Sequence, residues 1–367
     1  MVKILGLFPL TGNGGIASWT KKFLATFPDD NYQITPINVS PSIPRTGKRV
    51  GFFSRFLSGM SAKNRIIKEL KIALKKDDFD ILHTTTSGNL GSYRDIAVAK
   101  LCKRYGVKTI MHCRYGCITE DIQSKGFIGI MLRKSMALYN QIWVLDSRSY
   151  NTLKQIPSLE NKIYLTPNSI EIKNSIDETP KDYKRIAFVG NLIPSKGLYE
   201  LVEACTICDL RLDIIGPGSN DVVACVKGIA GDKLNKSIFV HGRLSNLEAV
   251  SFMREVDIVA LPTYYPSEAF PISIIEAMSL SKMVISCPRA AIKDMLTDLD
   301  GNLCGMLIEP RSVSAIVDAI NWVQNHKKEA DTMCKKAYEK VYTSYRTDVV
   351  YELYRNNYRK LFNKDKV

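Results

Sequence analysis

The sequence predicts an α/β protein made of two Rossmann-like domains that face each other across a cleft. Apolar, strand-like runs alternate with amphipathic helical stretches along almost the whole chain, which is typical of parallel sheets. This alternation stops at the polar segment 172–184 and then restarts. The chain has 367 residues, which is enough to build two hydrophobic cores. Two units of similar size separated by one linker are therefore expected.

The elements before the polar segment are predicted from short apolar runs. The first run is too short for a secretory signal and leads into a glycine-rich loop, so it is expected to be a strand. A helix is expected over 16–27, directly after that loop. Strands are expected at 3–8, 33–39, 81–84, 108–112, 141–145 and 162–165.

The second half repeats the same strand–helix pattern. Strands are expected at 185–189, 211–215, 238–241, 258–261, 283–286 and 305–308. Helices are expected from Lys196, near Val222, from Asn246, over 271–280, at Ile292 and across 312–362. The expected boundaries are an N-terminal domain at 1–171, a linker at 172–184, a C-terminal domain at 185–345 and a helix at 346–367 that packs back toward the N-terminal domain. Ligands of such folds bind at the carboxyl ends of the strands, which places the site in the cleft.

The charge balance predicts an anionic partner. Lys and Arg number 51 against 37 Asp and Glu, which gives a net charge of +14. Ten basic residues and one acid lie between Arg45 and Lys76, interleaved with the apolar residues Val50, Phe52, Phe53, Phe56, Leu57 and Met60. This mixture suits an anionic membrane surface, and it equally suits a helix that packs its apolar side on the domain. No RNA-binding signature or zinc finger favours nucleic acid.

The cysteines and the hydropathy profile favour a cytoplasmic protein. Nine cysteines are scattered without a repeated spacing, which is typical of reduced thiols. Cys113 and Cys117, with His112 nearby, lack the second pair that a zinc module needs, so no metal site is predicted. No apolar stretch approaches the 20 or so residues that cross a bilayer.

Two carboxylates in the segment 262–279 form the most informative pattern. Glu268 is expected in a loop after a strand, and Glu276 in the helix that follows. The amides at that helix start, around 269–273, could hold an anion, and Glu276 could accept hydrogen bonds from the vicinal hydroxyls of a ribose. The alternative is that Glu268 caps the helix and Glu276 forms a surface pair.

Three glycine-containing turns follow predicted strands. Gly190 to Gly197 carries Lys196 at a helix start, which suits a diphosphate, although it matches no standard phosphate-binding motif. Gly216 and Gly218 end the next strand of the second half, and Gly14 and Gly15 follow the first strand of the chain. Each turn permits close approach of a ligand to the backbone, and a plain turn explains each nearly as well.

Taken together, these residues resemble the retaining glycosyltransferases of family 4, which have the GT-B fold. The resemblance covers nearly the whole chain and is strongest from Arg185 to Pro310. The family's E-x7-E element falls on Glu268 and Glu276, and its glycine-lysine element on 190–197. Its other elements fall on Gly216 and Gly218, on the hinge 167–171, on Gly14 and Gly15, and on His112.

The resemblance implies a role for each residue. Lys196 and Asn191 belong to the donor diphosphate region, together with the backbone of Ala269, Phe270, Pro271, Ile272 and Ser273. Pro271 has no N–H to donate. Glu276 would hold the ribose, Glu268 the hydroxyls of the donor sugar, and Arg243 and Leu244 would face the base. His112 would lie near the anomeric side of the sugar, and His112, Glu268 and Lys196 are the expected catalytic residues. Gly14, Gly15, Gly216 and Gly218 would lie against the donor.

Four positions depart from the family pattern. Asn191 stands where an arginine is usual, which removes one cation from the diphosphate site; Arg243 or Arg114 could compensate. Ser169 and Glu171 replace glycine and aspartate in the hinge, and Cys113 follows His112 in place of a small residue. The first departure bears directly on phosphate binding.

The implied function is transfer of a hexose or N-acetylhexosamine from a nucleotide diphosphate sugar, with UDP favoured, to a glycan acceptor. The acceptor is expected to be lipid-linked, in bacterial surface polysaccharide or lipopolysaccharide synthesis, at the inner face of the plasma membrane. No cofactor or metal is expected, since no D-x-D motif stands in a strand-end loop. The alternatives are a nucleotide-sugar epimerase of the same fold and a non-catalytic basic membrane-binding module.

Overall fold

The structure is a computed structural model that describes residues 1–12, 14–40, 52–86, 88, 91–172, 176, 179 and 181–362, without the side chains of 52–58. Most of the basic and apolar residues noted between Arg45 and Leu57 therefore lie outside the description. The chain divides into two compact units. Unit 1 comprises Met1–Thr166 with Tyr351–Val367, and unit 2 comprises Pro167–Val350.

Unit 1 contains a six-stranded parallel sheet in the order β2-β1-β3-β4-β5-β6. Its strands are β1 (Val2–Phe8), β2 (Tyr32–Asn38), β3 (Ile81–Thr86), β4 (Lys108–Cys113), β5 (Gln141–Val144) and β6 (Ile163–Leu165). Its helices are α1 (Gly15–Thr26), α2 (Phe52–Lys76), α3 (Gly91–Arg104), α4 (Ile118–Gln123), α5 (Phe127–Ala137) and α6 (Ser147–Lys154).

Unit 2 contains a second six-stranded parallel sheet, in the order β12-β11-β10-β7-β8-β9. Its strands are β7 (Arg185–Val189), β8 (Arg211–Ile215), β9 (Ile238–Gly242), β10 (Ile258–Leu261), β11 (Met283–Ser286) and β12 (Met306–Leu307). Its helices are α7 (Leu198–Ile207), α8 (Asn220–Ala230), α9 (Asn246–Glu255), α10 (Ile272–Ser279), α11 (Ile292–Met295), α12 (Val313–Asn325) and α13 (Lys327–Ser344). The last helix, α14 (Thr347–Arg359), enters unit 1 at Tyr351.

These two sheets confirm the predicted α/β class, and most of the expected strands lie within one or two residues of the observed ones. The prediction that a helix starts at Lys196 is wrong. Residues Pro194–Lys196 form a 3₁₀ turn, and α7 begins only at Leu198 because Gly197 adopts the left-handed conformation, with φ 72°. The strand expected over 305–308 is shorter than predicted, since only Met306 and Leu307 pair with β11.

Helical periodicity explains how α2 and α14 pack in unit 1. On α2 the buried residues are Ile66, Leu70 and Leu74, one helical turn apart, and they join a core with residues of β1 and β3. On α14 the buried aromatic residues are Tyr351, Tyr354 and Tyr358, which pack against Phe27 among other rings. Both helices are therefore stabilised by burying one apolar or aromatic face.

Side-chain caps define several helix starts. Ser245 and Glu248 form a reciprocal capping box at α9, in which each side chain bonds the other residue's backbone amide. The side chains of Asp146, Ser219 and Ser312 cap α6, α8 and α12. All nine cysteines are free thiols. Of the helices that the structure describes, none combines the length and the apolar character needed to span a bilayer.

Candidate functional site

The ion pair between Lys196 and Glu268 forms the centre of the candidate site in unit 2. Nζ of Lys196 lies 2.9 Å from Oε2 of Glu268, and the two side chains are 13% and 12% exposed. Lys196 ends the turn after β7, and Glu268 lies in the loop after β10. Because β7 and β10 are parallel neighbours in the sheet, both side chains start from the same edge.

Glycines determine the backbone path around Lys196. A Cβ on Gly197 would lie 2.2 Å from the carbonyl oxygen of Pro262, so the turn after β7 lies directly against the segment that ends β10. The amide of Tyr264 donates to the carbonyl of Ser195 at 2.9 Å and ties the same two segments together. A Cβ on Gly190 would lie 3.6 Å from Nζ of Lys196, which places the ammonium beside the end of β7.

The start of α10 follows four residues after Glu268. Pro271 occupies the cap position and supplies no side-chain hydrogen bond, and the first turn contains no acidic residue. The first amides of a helix lack acceptors within the helix and carry a partial positive charge. Ile272 and Ser273, at these positions, are half-buried. This helix start can therefore interact with an anion.

Three contacts anchor the loop before α10. Nδ2 of the buried Asn168 donates to the carbonyl of Phe270 at 3.0 Å. The Phe270 ring is buried edge-to-face against Tyr345, with 5.3 Å between ring centroids. The carbonyl of Ala269 accepts from the amide of Ala291 at 3.1 Å. The loop that carries Glu268 is thus held at its far end by the segment that sequence reasoning treated as a hinge.

Glu276 lies on α10 and contacts the start of α9. Its Oε1 accepts a hydrogen bond from Nδ2 of Asn246 at 2.8 Å. Asn246 follows the turn that contains Arg243 and Leu244, which the resemblance assigns to the base. This bond brings the residue expected to hold the ribose next to the segment expected to hold the base. Arg243 is exposed and Leu244 is half-buried.

The glycines at 216 and 218 have a packing role. A Cβ on Gly216 would lie 1.8 Å from the carbonyl oxygen of Gly190, and one on Gly218 would lie 2.8 Å from Cβ of Leu192. The amide of Leu192 also donates to the carbonyl of Pro217 at 2.8 Å. Contact between the two turns therefore requires both glycines, whatever lies against them. Asn191 is exposed on the first turn.

Sequence reasoning missed three residues beside the centre of this site. Tyr264, four residues before Glu268, donates from its hydroxyl to Oε1 of Glu200 on α7 at 3.1 Å. The guanidinium of Arg311 lies over the Tyr264 ring, 4.7 Å from its centroid. Burial, followed by the charge of Glu200, raises the pKa of Tyr264. These residues lie in separate segments with no motif of their own, so only the fold brings them together.

In unit 1, the glycine loop leads directly into a helix. Gly14 is the cap residue of α1 and supplies no side chain, and its carbonyl accepts from the amide of Ser18 at 3.0 Å. Gly14 and Gly15 are exposed, and a Cβ on either would meet nothing within 4 Å. Packing does not require glycine at these two positions, in contrast to Gly216.

His112 lies on β4 in a fully buried aromatic cluster of unit 1. Its Nδ1 lies 3.2 Å from Nε2 of His83, and its Nε2 lies 3.0 Å from Nη1 of Arg114. Burial, together with the charge of Arg114, lowers the pKa of His112 well below its usual range. The imidazole is therefore neutral at physiological pH, and both of its ring nitrogens have partners within the unit.

Within the residues that the structure describes, no group of three or more His, Cys, Asp or Glu side chains is placed to hold a metal ion. Cys113, next to His112, is buried, and burial raises the pKa of its thiol. A neutral thiol is a poor metal ligand.

Comparison with known proteins identifies a family model and relatives that this chain resembles. Residues 169–340 match the family model described as Glycosyl transferases group 1. This match covers less than half of the chain. The putative teichuronic acid biosynthesis glycosyltransferase TuaC of Bacillus subtilis is 28% identical over 163 residues, which is 44% of this chain and 38% of that protein. The matching family model and these relatives are all described as glycosyltransferases.

The alignments with the curated relatives span only 38% to 65% of those proteins' lengths. The likeness to solved structures extends over nearly the whole chain. Sucrose-phosphate synthase from Thermosynechococcus elongatus superimposes with a TM-score of 0.76 at 14% identity, covering 99% of both chains. HepE of Anabaena in complex with UDP superimposes with a TM-score of 0.72 at 15% identity, covering 98% of this chain and 100% of that one. These structures confirm the predicted GT-B fold.

Proposed function

We propose that this protein is a retaining glycosyltransferase that moves a hexose or N-acetylhexosamine from a nucleotide diphosphate sugar to a glycan acceptor. The observation that carries the proposal is the Lys196–Glu268 ion pair, which lies at the carboxyl edge of the unit 2 sheet, with Gly190 beside it. A cation, a carboxylate and a helix start are the groups needed to hold a diphosphate and the sugar attached to it.

The chemistry follows from where charge develops. Breaking the sugar–phosphate bond leaves positive charge on the sugar ring and negative charge on the departing diphosphate. Fixed positive groups beside that diphosphate lower the barrier because they are already in place when the charge appears. Lys196 supplies a full charge, and the first amides of α10 supply the partial charge of a helix N-terminus.

Glu268 has two roles in this account. Before the donor binds, it neutralises Lys196 in a largely buried pair. A bound diphosphate competes with Glu268 for the ammonium, and the carboxylate can then accept hydrogen bonds from hydroxyls of the donor sugar. The two roles make Glu268 more important for turnover than for nucleotide affinity.

UDP is the proposed nucleotide. Glu276 has a carboxylate suited to the ribose hydroxyls, and its bond to Asn246 holds it beside the turn assigned to the base. The solved structures of HepE contain UDP and UDP-glucose, which supports a uridine nucleotide for a chain of the same fold. The proposed site is metal-independent and relies on Lys196 and the helix start. Because Asn191 stands in place of the usual arginine, the site has one cation fewer.

Retention would proceed on one face of the sugar. The leaving phosphate oxygen takes the proton of the acceptor hydroxyl while the new glycosidic bond forms, so the proton and the negative charge meet on the same group. No covalent carboxylate nucleophile is assigned, because the main partner of Glu268 in the structure is the ammonium of Lys196.

The proposed acceptor is a lipid-linked glycan of bacterial surface polysaccharide or lipopolysaccharide synthesis, presented at an anionic membrane. TuaC, by its name, acts in teichuronic acid synthesis, which supports a surface polymer. The outer face of α2 supports the membrane. Lys68, Lys71 and Lys75 are exposed there, while the opposite face of the same helix is buried.

Exposed apolar side chains also lie on α5, which is separated from α2 by one helix. On α5, Phe127, Ile128 and Ile130 are 63%, 39% and 52% exposed. Lys125 and Lys134 flank them and are exposed too. Helix α3 packs between α2 and α5, so the three helices form one layer on unit 1. Apolar side chains flanked by lysines are suited to insertion into an anionic bilayer interface.

The experiment that tests the proposed function is a donor screen with the purified protein. Nucleotide diphosphate sugars are offered with bacterial lipid-linked oligosaccharides, and the products are read by mass spectrometry. The proposal predicts a mass increase of one hexose or N-acetylhexosamine with a UDP-sugar. Release or isomerisation of the sugar without transfer would favour an epimerase, and vesicle binding without any nucleotide binding would favour a non-catalytic module.

A further inference from the structure

A continuous chain of hydrogen bonds connects four buried side chains of unit 1. The hydroxyl of Tyr358 lies 2.7 Å from Nδ1 of His83, and Nε2 of His83 lies 3.2 Å from Nδ1 of His112. The chain continues from Nε2 of His112 to Nη1 of Arg114, at 3.0 Å. His83, His112 and Tyr358 are 0% exposed, and Arg114 is 6% exposed.

The guanidinium end determines the direction of every bond in the chain. A guanidinium can only donate, so Nε2 of His112 must accept and the hydrogen of that ring must be on Nδ1. The Nδ1–H of His112 then donates to Nε2 of His83, which places the hydrogen of His83 on Nδ1 as well. That hydrogen donates to the hydroxyl oxygen of Tyr358. Both histidines are therefore fixed as Nδ1–H tautomers.

Burial keeps the two imidazoles neutral, as the chain requires. Burial, assisted by the charge of Arg114, lowers the pKa of His83 to about 3. A protonated His83 or His112 would carry hydrogens on both nitrogens, and one hydrogen would then point at another donor. The packing also prevents the rings from turning. Trp143 lies edge-on to both histidines, with centroids at 4.9 Å and 5.4 Å, and Arg114 stacks on Trp19 at 4.0 Å.

We propose that Arg114 sets the protonation of both histidines, and that His83 and Tyr358 are positioning residues that hold His112 as a hydrogen-bond acceptor. The inference rests on the proposed function, for which the family resemblance places His112 near the donor sugar. The single lone pair on Nε2 of His112 accepts from Arg114, so His112 is neither a general acid nor an acceptor for a substrate hydroxyl. Its role is to orient the guanidinium of Arg114, whose N–H groups are donors suited to a sugar hydroxyl.

The direct test is NMR of the full chain labelled with ¹⁵N-histidine. The chain has only four histidines, and single His→Gln variants assign their signals. At neutral pH, the proposal predicts the Nδ1–H pattern for both His83 and His112. Arg114→Lys retains an obligate donor and should preserve the pattern. Arg114→Leu removes the donor, and we expect His83, one hydrogen bond further along the chain, to populate the Nε2–H form. An Nε2–H or doubly protonated His112 in the wild-type protein would overturn the proposal.

Kinetics separate positioning from mere structural support. His83→Gln keeps an acceptor for His112, whereas His83→Phe fills the space without one. We expect kcat to fall about tenfold in His83→Phe and Tyr358→Phe, with the donor KM within threefold, and to recover to within threefold of wild type in His83→Gln. Equal losses in His83→Gln and His83→Phe would overturn the positioning role. A wild-type protein inactive with every donor would instead refute the proposed function, and the spectra alone would then decide the proposal.

Discussion

Gly197 lies against Pro262 so closely that a Cβ on the glycine would come within 2.2 Å of the proline carbonyl oxygen. The contact joins the turn that carries Lys196 to the segment that leads to Glu268. It also explains why α7 starts after Gly197, since a residue with φ 72° cannot lie inside an α-helix. The position of the central ion pair therefore depends on a residue that has no side chain.

Gly197→Ala should destabilise the protein by about 2–4 kcal/mol, because the methyl group meets backbone and the φ angle is unfavourable. Urea unfolding measures the change. Gly228→Ala is the matched control, since Gly228 lies exposed on α8 and a Cβ there meets nothing within 4 Å. The control should gain about 0.5–1 kcal/mol. Equal effects of the two substitutions would contradict the close contact.

Glu276→Ala should weaken UDP binding about 10- to 100-fold, since it removes charge-assisted hydrogen bonds to the ribose. Isothermal titration calorimetry measures the Kd. Glu255→Ala, at the exposed end of α9, is the control and should stay within twofold. Unchanged affinity in Glu276→Ala would remove the ribose assignment.

Glu268→Gln should lower kcat about 100-fold while UDP binds equally or up to tenfold more tightly, because the diphosphate no longer competes with a carboxylate for Lys196. Steady-state kinetics and calorimetry on the same preparation measure both effects. Weaker UDP binding with an unchanged kcat would reverse the two roles assigned to Glu268.

Phe127→Ser combined with Ile130→Ser should reduce binding to vesicles containing phosphatidylglycerol at least tenfold, because two exposed apolar anchors are lost. Leu247→Ser is the control, since Leu247 is 78% exposed but lies in unit 2, and its loss should leave vesicle binding unchanged. Co-sedimentation at low and high salt also tests the lysines of α2. Binding that ignores both anionic lipid and salt would reject the membrane proposal.

The buried histidines should make the protein less stable in acid. An unfolded histidine takes up a proton below about pH 6.5, whereas folded His83, with a pKa of about 3, does not. The stability contributed by the neutral ring is therefore present at pH 7 and is lost as the pH falls from about 6.5 towards 3, by about 2 kcal/mol at pH 5. Urea unfolding of wild type and His83→Gln at pH 5, 6 and 7 measures this. The same pH slope in both proteins would contradict it.

The sequence predicts those features of the fold and site that depend on local patterns. Strands such as 185–189 and 211–215 are short apolar runs between polar turns, and the structure has them with the predicted bounds. The proximity of Lys196 and Glu268 is also predictable, because both follow strands of one parallel sheet.

The remaining features depend on packing between distant segments. Tyr358 bonds His83 across 275 positions, and only the way that α14 lies on the sheet determines that contact. The helical spacing of the α14 tyrosines identifies them as one face of the helix, but it does not identify the residues that they contact. Gly216 resembles a ligand-binding glycine in the sequence, while its close packing against the carbonyl oxygen of Gly190 is visible only in the structure.

The most direct test of the central claim is the affinity of UDP for Lys196→Ala compared with the wild-type protein. If Lys196 holds the diphosphate, the Kd measured by calorimetry rises at least tenfold, while Lys233→Ala, which removes a partly exposed lysine paired with Asp209, leaves it unchanged. Circular dichroism checks that both variants are folded. Equal UDP affinity in Lys196→Ala and the wild type would contradict the account.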